Sequence, residues 1–244
     1  MQFAVVSLFP EFAEAVSRYG VVRRGVEAGL VEVSGINPRD FAEDRHRRVD
    51  DKAYGGGPGM VMQPEPLSQA VAAARKRAAG PVVMMSPQGE RFTQGWAERL
   101  AREPGLVLVC GRYEGVDERV LASEVDIELS LGDFVLSGGE LAAMAVIDAV
   151  ARLLPGVLGD EASSQQDSFS GGLLDHAHYT RPERWRGEPV PEVLLSGDHA
   201  AIARWRLQRA LGHTWLKRPE LLDELKLDEE STALLREFIA GHGS

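Results

Sequence analysis

The chain has 244 residues and a formal net charge of −10, with 27 Lys and Arg against 37 Asp and Glu, so a surface that binds nucleic acid all over is excluded and only a local basic patch is left open. With 44% hydrophobic and 26% charged residues it reads as an ordinary globular protein of one large or two modest domains. The single cysteine, Cys110, excludes an internal disulfide, and no apolar run nears the roughly 18 residues of a membrane span, which makes a cytoplasmic location the simplest expectation.

Phe3 to Phe9 reads as a first strand and not as a signal peptide, because no basic segment precedes it and Glu11 and Glu14 follow at once. A helix is expected over Glu11 to Ala28, a strand over Leu30 to Ile36, and a glycine-dense loop over Tyr54 to Met60. Helix Pro66 to Ala79 then leads to strand Val82 to Met85, which ends in Ser86-Pro87-Gln88-Gly89. Helix Gln94 to Arg102 leads to strand Leu106 to Cys110, which ends in Gly111-Arg112-Tyr113-Glu114-Gly115. Helix Asp117 to Ala122 precedes strand Val125 to Leu131. Paired glycines break the chain between Leu131 and Leu141, and a helix over Gly139 to Leu154 packs Leu141, Met144, Ala145 and Ile147. This alternation predicts an α/β fold with a largely parallel, buried sheet.

From Gly159 to Gly172 apolar residues are scarce, and the composition is that of a flexible linker. Residues 1–158 would then form the α/β domain, 159–172 the linker and 173–244 a small helical domain. In the last, Asp198 to Leu211 and Asp228 to Ala240 read as helices with Asp at or near each N-cap. Arg181 to Arg218 carries eight basic residues against four acidic ones, whereas the segment from Pro219 onward carries two against seven. The basic stretch is interleaved with Trp185, Trp205 and Trp215, a pairing that suits phosphate contact and base stacking, although core tryptophans on a solvated helix would look the same.

In an open α/β sheet, ligands bind outside the carboxyl ends of the strands, so the three loops that end the third, fourth and fifth apolar runs predict a pocket. Tyr54 to Met60 lacks the Gly-Lys-Ser/Thr ending of a nucleotide P-loop. Leu136-Ser137-Gly138-Gly139-Glu140 matches the signature of ABC-type ATPases, but no Walker A loop stands upstream, and no Gly-x-Gly-x-x-Gly follows a strand. His176 and His178 have neither a Cys nor a further spaced His to complete a metal set, so a structural or RNA-facing role is expected. Cys110 reads as a small buried hydrophobe.

Together, Tyr54 to Met60, Ser86 to Gly89, Cys110 to Val120, Leu131 to Leu141, Arg152 to Gly159, Asp167-Ser168-Phe169, Tyr179 to Glu183 and Trp205 to Pro219 resemble the bacterial tRNA (guanine-N1)-methyltransferases of the SPOUT superfamily. That resemblance implies an α/β domain with a parallel sheet and a deep trefoil knot, followed by a helical domain, in a homodimer whose active sites are shared. It implies methylation by S-adenosylmethionine of N1 of the guanosine immediately 3′ of the tRNA anticodon (position 37), in support of reading-frame maintenance. A non-catalytic tRNA-binding protein on the same fold is the alternative.

The resemblance also implies residue roles. The cofactor would lie among Met85, Ser86, Pro87, Gln88 and Gly89, then Gly111, Tyr113, Glu114 and Gly115, then Leu131, Gly132, Asp133, Phe134, Val135, Leu136, Gly138 and Gly139. Asp167 would take the N1 proton, aided by desolvation as the linker orders on RNA, and Arg152 would stabilise charge developing on the guanine. Asp175, Arg181, Arg204 and Arg209 would contact tRNA. Glu114 is the residue that would bind or indirectly recruit Mg²⁺, though one carboxylate makes no dedicated site and no metal ligand set is expected. Phe134 stands where the family often has Tyr, so stacking is expected there without a side-chain hydrogen bond.

Overall fold

The computed structural model describes residues 1–159 and 167–242, so the 160–166 part of the expected linker and residues 243–244 lie outside the described residues. The chain divides into two units, Met1–Glu161 and Ala162–Ser244.

In the first unit, β1 (Gln2–Val6), β2 (Glu32–Ile36), β5 (Val82–Arg91), β6 (Gly105–Cys110) and β7 (Ile127–Ser130) form one sheet in the order β2-β1-β6-β5-β7. Every pairing in it is parallel, as the alternation of apolar runs predicted. Successive side chains of a strand point to opposite faces, and the core divides accordingly. Phe3, Val5, Val83, Met85, Leu106 and Leu108 pack on one face with Ala143, Val146, Ile147 and Val150 of α6 (Glu140–Ala151). Ala4, Val6, Val82, Met84, Val107 and Val109 pack on the other with Leu67, Ala70, Val71 and Ala74 of α3 (Pro64–Arg75) and Val120 of α5 (Glu118–Glu124). Central β6 is buried along its whole length, which is why its sequence is continuously apolar. Each such Val or Leu contributes about 1.5–3 kcal/mol through burial.

Several elements differ from expectation. The helix expected over Glu11 to Ala28 is split into α1 (Pro10–Glu14), a 3-10 turn (Ala15–Arg18) and α2 (Gly20–Glu27), because Tyr19 is extended at φ −137 and ψ 158 and Gly20 has φ 60. The strand expected to stop at Met85 resumes: Met85 and Glu90 both face Leu129, and Ser86 to Gly89 are thrown out of the ladder between them. Gly89 permits this return, since a Cβ there would lie 2.5 Å from the backbone of Glu128 and Leu129. A short ribbon, β3 (Asp50–Asp51) against β4 (Val61–Met62), frames the glycine-dense loop and was too brief to show as periodicity.

The second unit holds helices His199–Lys217, Glu220–Asp223 and Glu229–His242 and a hairpin of Arg184–Trp185 with Glu188–Pro189. Asp198 caps the first helix by accepting from the N–H groups of Ala200 and Ala201, both at 3.0 Å. That helix runs past the expected end at Leu211 because Gly212 supplies space: a Cβ there would meet the ring of Phe238 at 2.4 Å, so the missing side chain lets Glu229–His242 pack closely. No helix among the described residues is long and apolar enough to cross a membrane.

Candidate functional site

The bulged middle of β5 and the carboxyl ends of β6 and β7 face one crevice. It is lined by Met84 to Gln88, by Gly111 to Val116, by Leu129 to Gly132 and Phe134 to Gly139, and by Glu118, Leu121 and Ala142. Backbone supplies much of this wall. Gly115 has φ 144 with nothing within 4 Å of a built Cβ, Gly132 has φ 156, and Tyr113 holds the left-handed conformation at φ 61. A non-glycine residue in that conformation is strained and is kept only where surroundings dictate it. The surroundings here are explicit: Met62 N–H donates to Gly115 O at 2.9 Å, Glu114 N–H to Met60 O at 3.0 Å and Asp117 N–H to Met62 O at 3.2 Å. These bonds zip the exit of the Tyr54 to Met60 loop to the loop after β6, and Gly59 has no Cβ because the Glu114 side chain occupies that space.

The two other loops are tied by a polar knot beneath the crevice. Gly139 N–H donates to Gly111 O at 3.1 Å. Arg112 Nε donates to Glu140 Oε1 at 3.1 Å and Arg112 Nη1 to Ser137 O at 3.1 Å, while Arg112 Nη2 lies 2.9 Å from Glu140 Oε2. Ser7 Oγ, just past β1, donates to Glu140 Oε1 at 2.6 Å. Glu140 is 1% exposed, and its charge is matched by Arg112. Gly138 and Gly139 are required by the packing: a Cβ on the first would sit 2.2 Å from Arg112 Nε, and on the second 2.8 Å from Cys110 Cα. Burial first, then the Glu140 charge, pushes the Cys110 thiol well above its ordinary range, with Arg112 opposing only in part. The sequence reading gave Glu140 and Ser7 no role. Acidic placement in the first turn of α6 is the one local signal that Glu140 offered.

Most of the residues expected around the cofactor line this crevice, but Gly89 and Asp133 do not. Gly89 backs onto β7, and Asp133 turns out to solvent, 90% exposed, where it meets Arg91 at 2.9 Å. Phe134 and Val135 are exposed at the crevice edge. Arg152 is the C-cap of α6, at the opposite end from Gly139, and is absent from the crevice lining. At 1.5 Å rise per residue that puts roughly 20 Å of helix between them.

Asp167 opens the described part of the second unit. The residues after it are not slack chain: Ser170 N–H donates to Asp167 O at 3.2 Å, Phe169 N–H to Leu173 O at 2.7 Å and Asp175 N–H to Ser168 Oγ at 2.9 Å. Turn-forming Ser and Gly close a loop within this part of the segment that reads as linker by composition. Among the residues expected to contact tRNA, Arg181 is exposed. Arg204 is paired with both carboxylate oxygens of Glu237 at 3.0 Å, and Arg209 lies between the rings of Trp205 and Phe238, 5.5 Å from each centroid. Trp185 is 61% exposed, whereas Trp205 sits against His176 and Tyr179. Burial raises the Asp175 carboxyl, but hydrogen bonds from His178 and the His176 N–H outweigh it and hold the group below its ordinary value. Asp175, His176 and His178 each bring one nitrogen or carboxylate oxygen to within 4.8 Å of the others.

A parallel α/β sheet with a crevice lined by glycine-bearing loops is an arrangement in which small ligands are commonly held through backbone groups. Comparison with known proteins narrows the class. The family model described as tRNA (Guanine-1)-methyltransferase TrmD matches residues 1–224. The chain is 59% identical over 240 residues to a tRNA (guanine-N(1)-)-methyltransferase of Methylococcus capsulatus, covering 98% of this chain and 96% of that one. It is 58% identical over 240 residues to the enzyme so named from Halorhodospira halophila, covering 98% and 91%, and 58% over 245 residues to that from Salmonella newport, covering 99% and 96%. The chain belongs to the tRNA (guanine-N1)-methyltransferase family.

Proposed function

We propose that this chain transfers the methyl group of S-adenosylmethionine to N1 of the guanosine immediately 3′ of the anticodon in tRNA, as a cytoplasmic homodimer. The observation that carries this reading is the crevice of three glycine-bearing loops in a member of that family. Its lining suits the cofactor: Leu121, Leu129, Leu131 and Ala142 offer an apolar wall for a ring, and Gly111 to Gly115 and Leu131 to Gly139 offer backbone donors and acceptors for polar edges. When bound, the cofactor supplies an electrophilic methyl on a sulfonium.

Guanine N1 carries a proton at neutral pH, and a base must take it as the N1–methyl bond forms and the methyl–sulfur bond breaks. Asp167 takes that proton onto its carboxylate, and Arg152 holds negative charge developing at the guanine oxygen, a service worth about 3 kcal/mol for one preorganised donor. Arg152 lies across the length of α6 from Gly139, which supports a site completed by a second copy of the chain. Asp175, Arg181, Arg204 and Arg209 engage the tRNA, and Glu114 at the crevice rim is the carboxylate that would recruit Mg²⁺. The domain plan that goes with this reading is a knotted α/β domain over residues 1–158, a connector over 159–172 and a helical tRNA-binding domain over 173–244.

The test is Asp167→Ala. Methyl transfer should be abolished while S-adenosylmethionine affinity, read by calorimetry, stays within a few fold; near-normal turnover would remove Asp167 from the base role.

A further inference from the structure

The segment Asp175-His176-Ala177-His178 places two imidazoles and a carboxylate on one point. Asp175 Oδ2 lies 2.8 Å from His178 Nε2, and Asp175 Oδ1 lies 3.9 Å from His176 Nε2. The two imidazole rings are 4.4 Å apart between centroids. Donors around a tetrahedral ion with bonds of about 2.0–2.1 Å stand roughly 3.3 Å from each other, so the two measured separations bracket what an ion needs. All three donors lie within 4.8 Å of one another, and the His178 side chain is 69% exposed.

The ring of His176 is already set for coordination. Its Nδ1 lies 3.1 Å from Ala177 O, and a carbonyl can only accept, so the proton sits on Nδ1 and the lone pair of the neutral ring is on Nε2, the nitrogen that faces Asp175. A backbone carbonyl fixing the tautomer through the other ring nitrogen is the usual outer support of a metal-bound histidine. The frame behind the donors is also fixed. Asp175 N–H donates to Ser168 Oγ at 2.9 Å, Leu174 N–H to Thr214 Oγ1 at 2.9 Å, and His213 Nδ1 lies 3.3 Å from Asp175 O, anchoring the segment to helix His199–Lys217. His176 is 13% exposed and Asp175 26%, so the site has a covered floor and an open rim through His178.

We propose that Asp175, His176 and His178 form a binding site for a late first-row divalent cation of the Zn²⁺ type, with water completing the coordination. Two imidazoles and one carboxylate select such an ion over Mg²⁺ or Ca²⁺, which take oxygen ligands. None of the three residues lines the crevice, and the inference does not rest on the methyltransferase reading; an ion held there would present a cation, in place of the Asp175 carboxylate, to a bound tRNA. It stands beside Ser168, the residue after Asp167 in the chain.

The test is direct titration of the full-length, tag-free, chelator-stripped protein with Zn²⁺, by calorimetry and by competition with a chromophoric chelator. The site predicts one bound Zn²⁺ per chain, with affinity weakened at least ~10-fold in His176→Gln and in His178→Gln. His199→Gln, on an exposed residue of the neighbouring helix, should leave the affinity unchanged. Because His178 is largely exposed, His178→Gln should keep the wild-type Tm, which separates loss of a ligand from loss of the fold. X-ray absorption at the zinc edge should show two imidazoles. No stoichiometric binding, or binding that both substitutions leave unaltered, would overturn the assignment.

Discussion

Arg112 and Glu140, 28 residues apart in the chain, meet as an ion pair with side chains 19% and 1% exposed and a closest approach of 2.9 Å. The pair joins the loop after β6 to the first turn of α6, and Ser7 adds the end of β1. Deleting one partner of such a pair strands the other charge in the interior, at a cost of about 3–5 kcal/mol. Glu140→Ala is therefore expected to lower the denaturation midpoint in urea severely. Glu140→Gln, which still accepts from Ser7, should lose less. Equal stability of Glu140→Ala and wild type would mean that the network does not hold the loops.

Gly139 faces Cys110 Cα and Met85 Cβ at 2.8 and 3.0 Å from a built Cβ, so a side chain there must push backbone. Gly139→Val should weaken S-adenosylmethionine binding strongly in calorimetry, along with about 1–3 kcal/mol of overpacking strain. Unchanged affinity would refute the crevice as the cofactor site.

Cys110 is buried and its thiol is held neutral well above the ordinary pKa by burial and by the Glu140 charge. The thiolate is the reactive form, so the native protein should resist alkylation by iodoacetamide at pH 8 and react at once in denaturant. Rapid native labelling, read by mass spectrometry, would contradict that packing.

Arg204 and Arg209 part company in the structure. The Arg204–Glu237 pair is about half exposed and contributes at most about 1 kcal/mol, so Arg204→Glu should weaken tRNA binding and lower its salt slope with little loss of stability. Arg209→Glu loses its stacking between Trp205 and Phe238 as well, so both Tm and tRNA affinity should fall. Unchanged tRNA binding in both would return these residues to a purely structural role.

β1, β6 and the first half of β5 could be read from the sequence because they are buried on both faces and their apolar runs are continuous, whereas edge strands β2 and β7 are only partly buried and show as shorter apolar runs. Part of what escaped depended on partners distant in sequence. Glu140 reads as an ordinary first-turn carboxylate until Arg112 and Ser7 arrive from other strands. Ser86 to Gly89 has turn composition, and only the close approach of Gly89 to β7 tells that the strand resumes. Tyr19 and Gly20 carry the break in the first helix, where apolar periodicity ran on without a signal.

Methyl transfer to one base is measured most directly with tRNA transcripts that differ only at the nucleotide immediately 3′ of the anticodon. With labelled S-adenosylmethionine, the account predicts label on the guanosine-bearing transcript, mapped to N1 of that base, and none on the adenosine-bearing one. Label on neither transcript, or on both at another position, would contradict it.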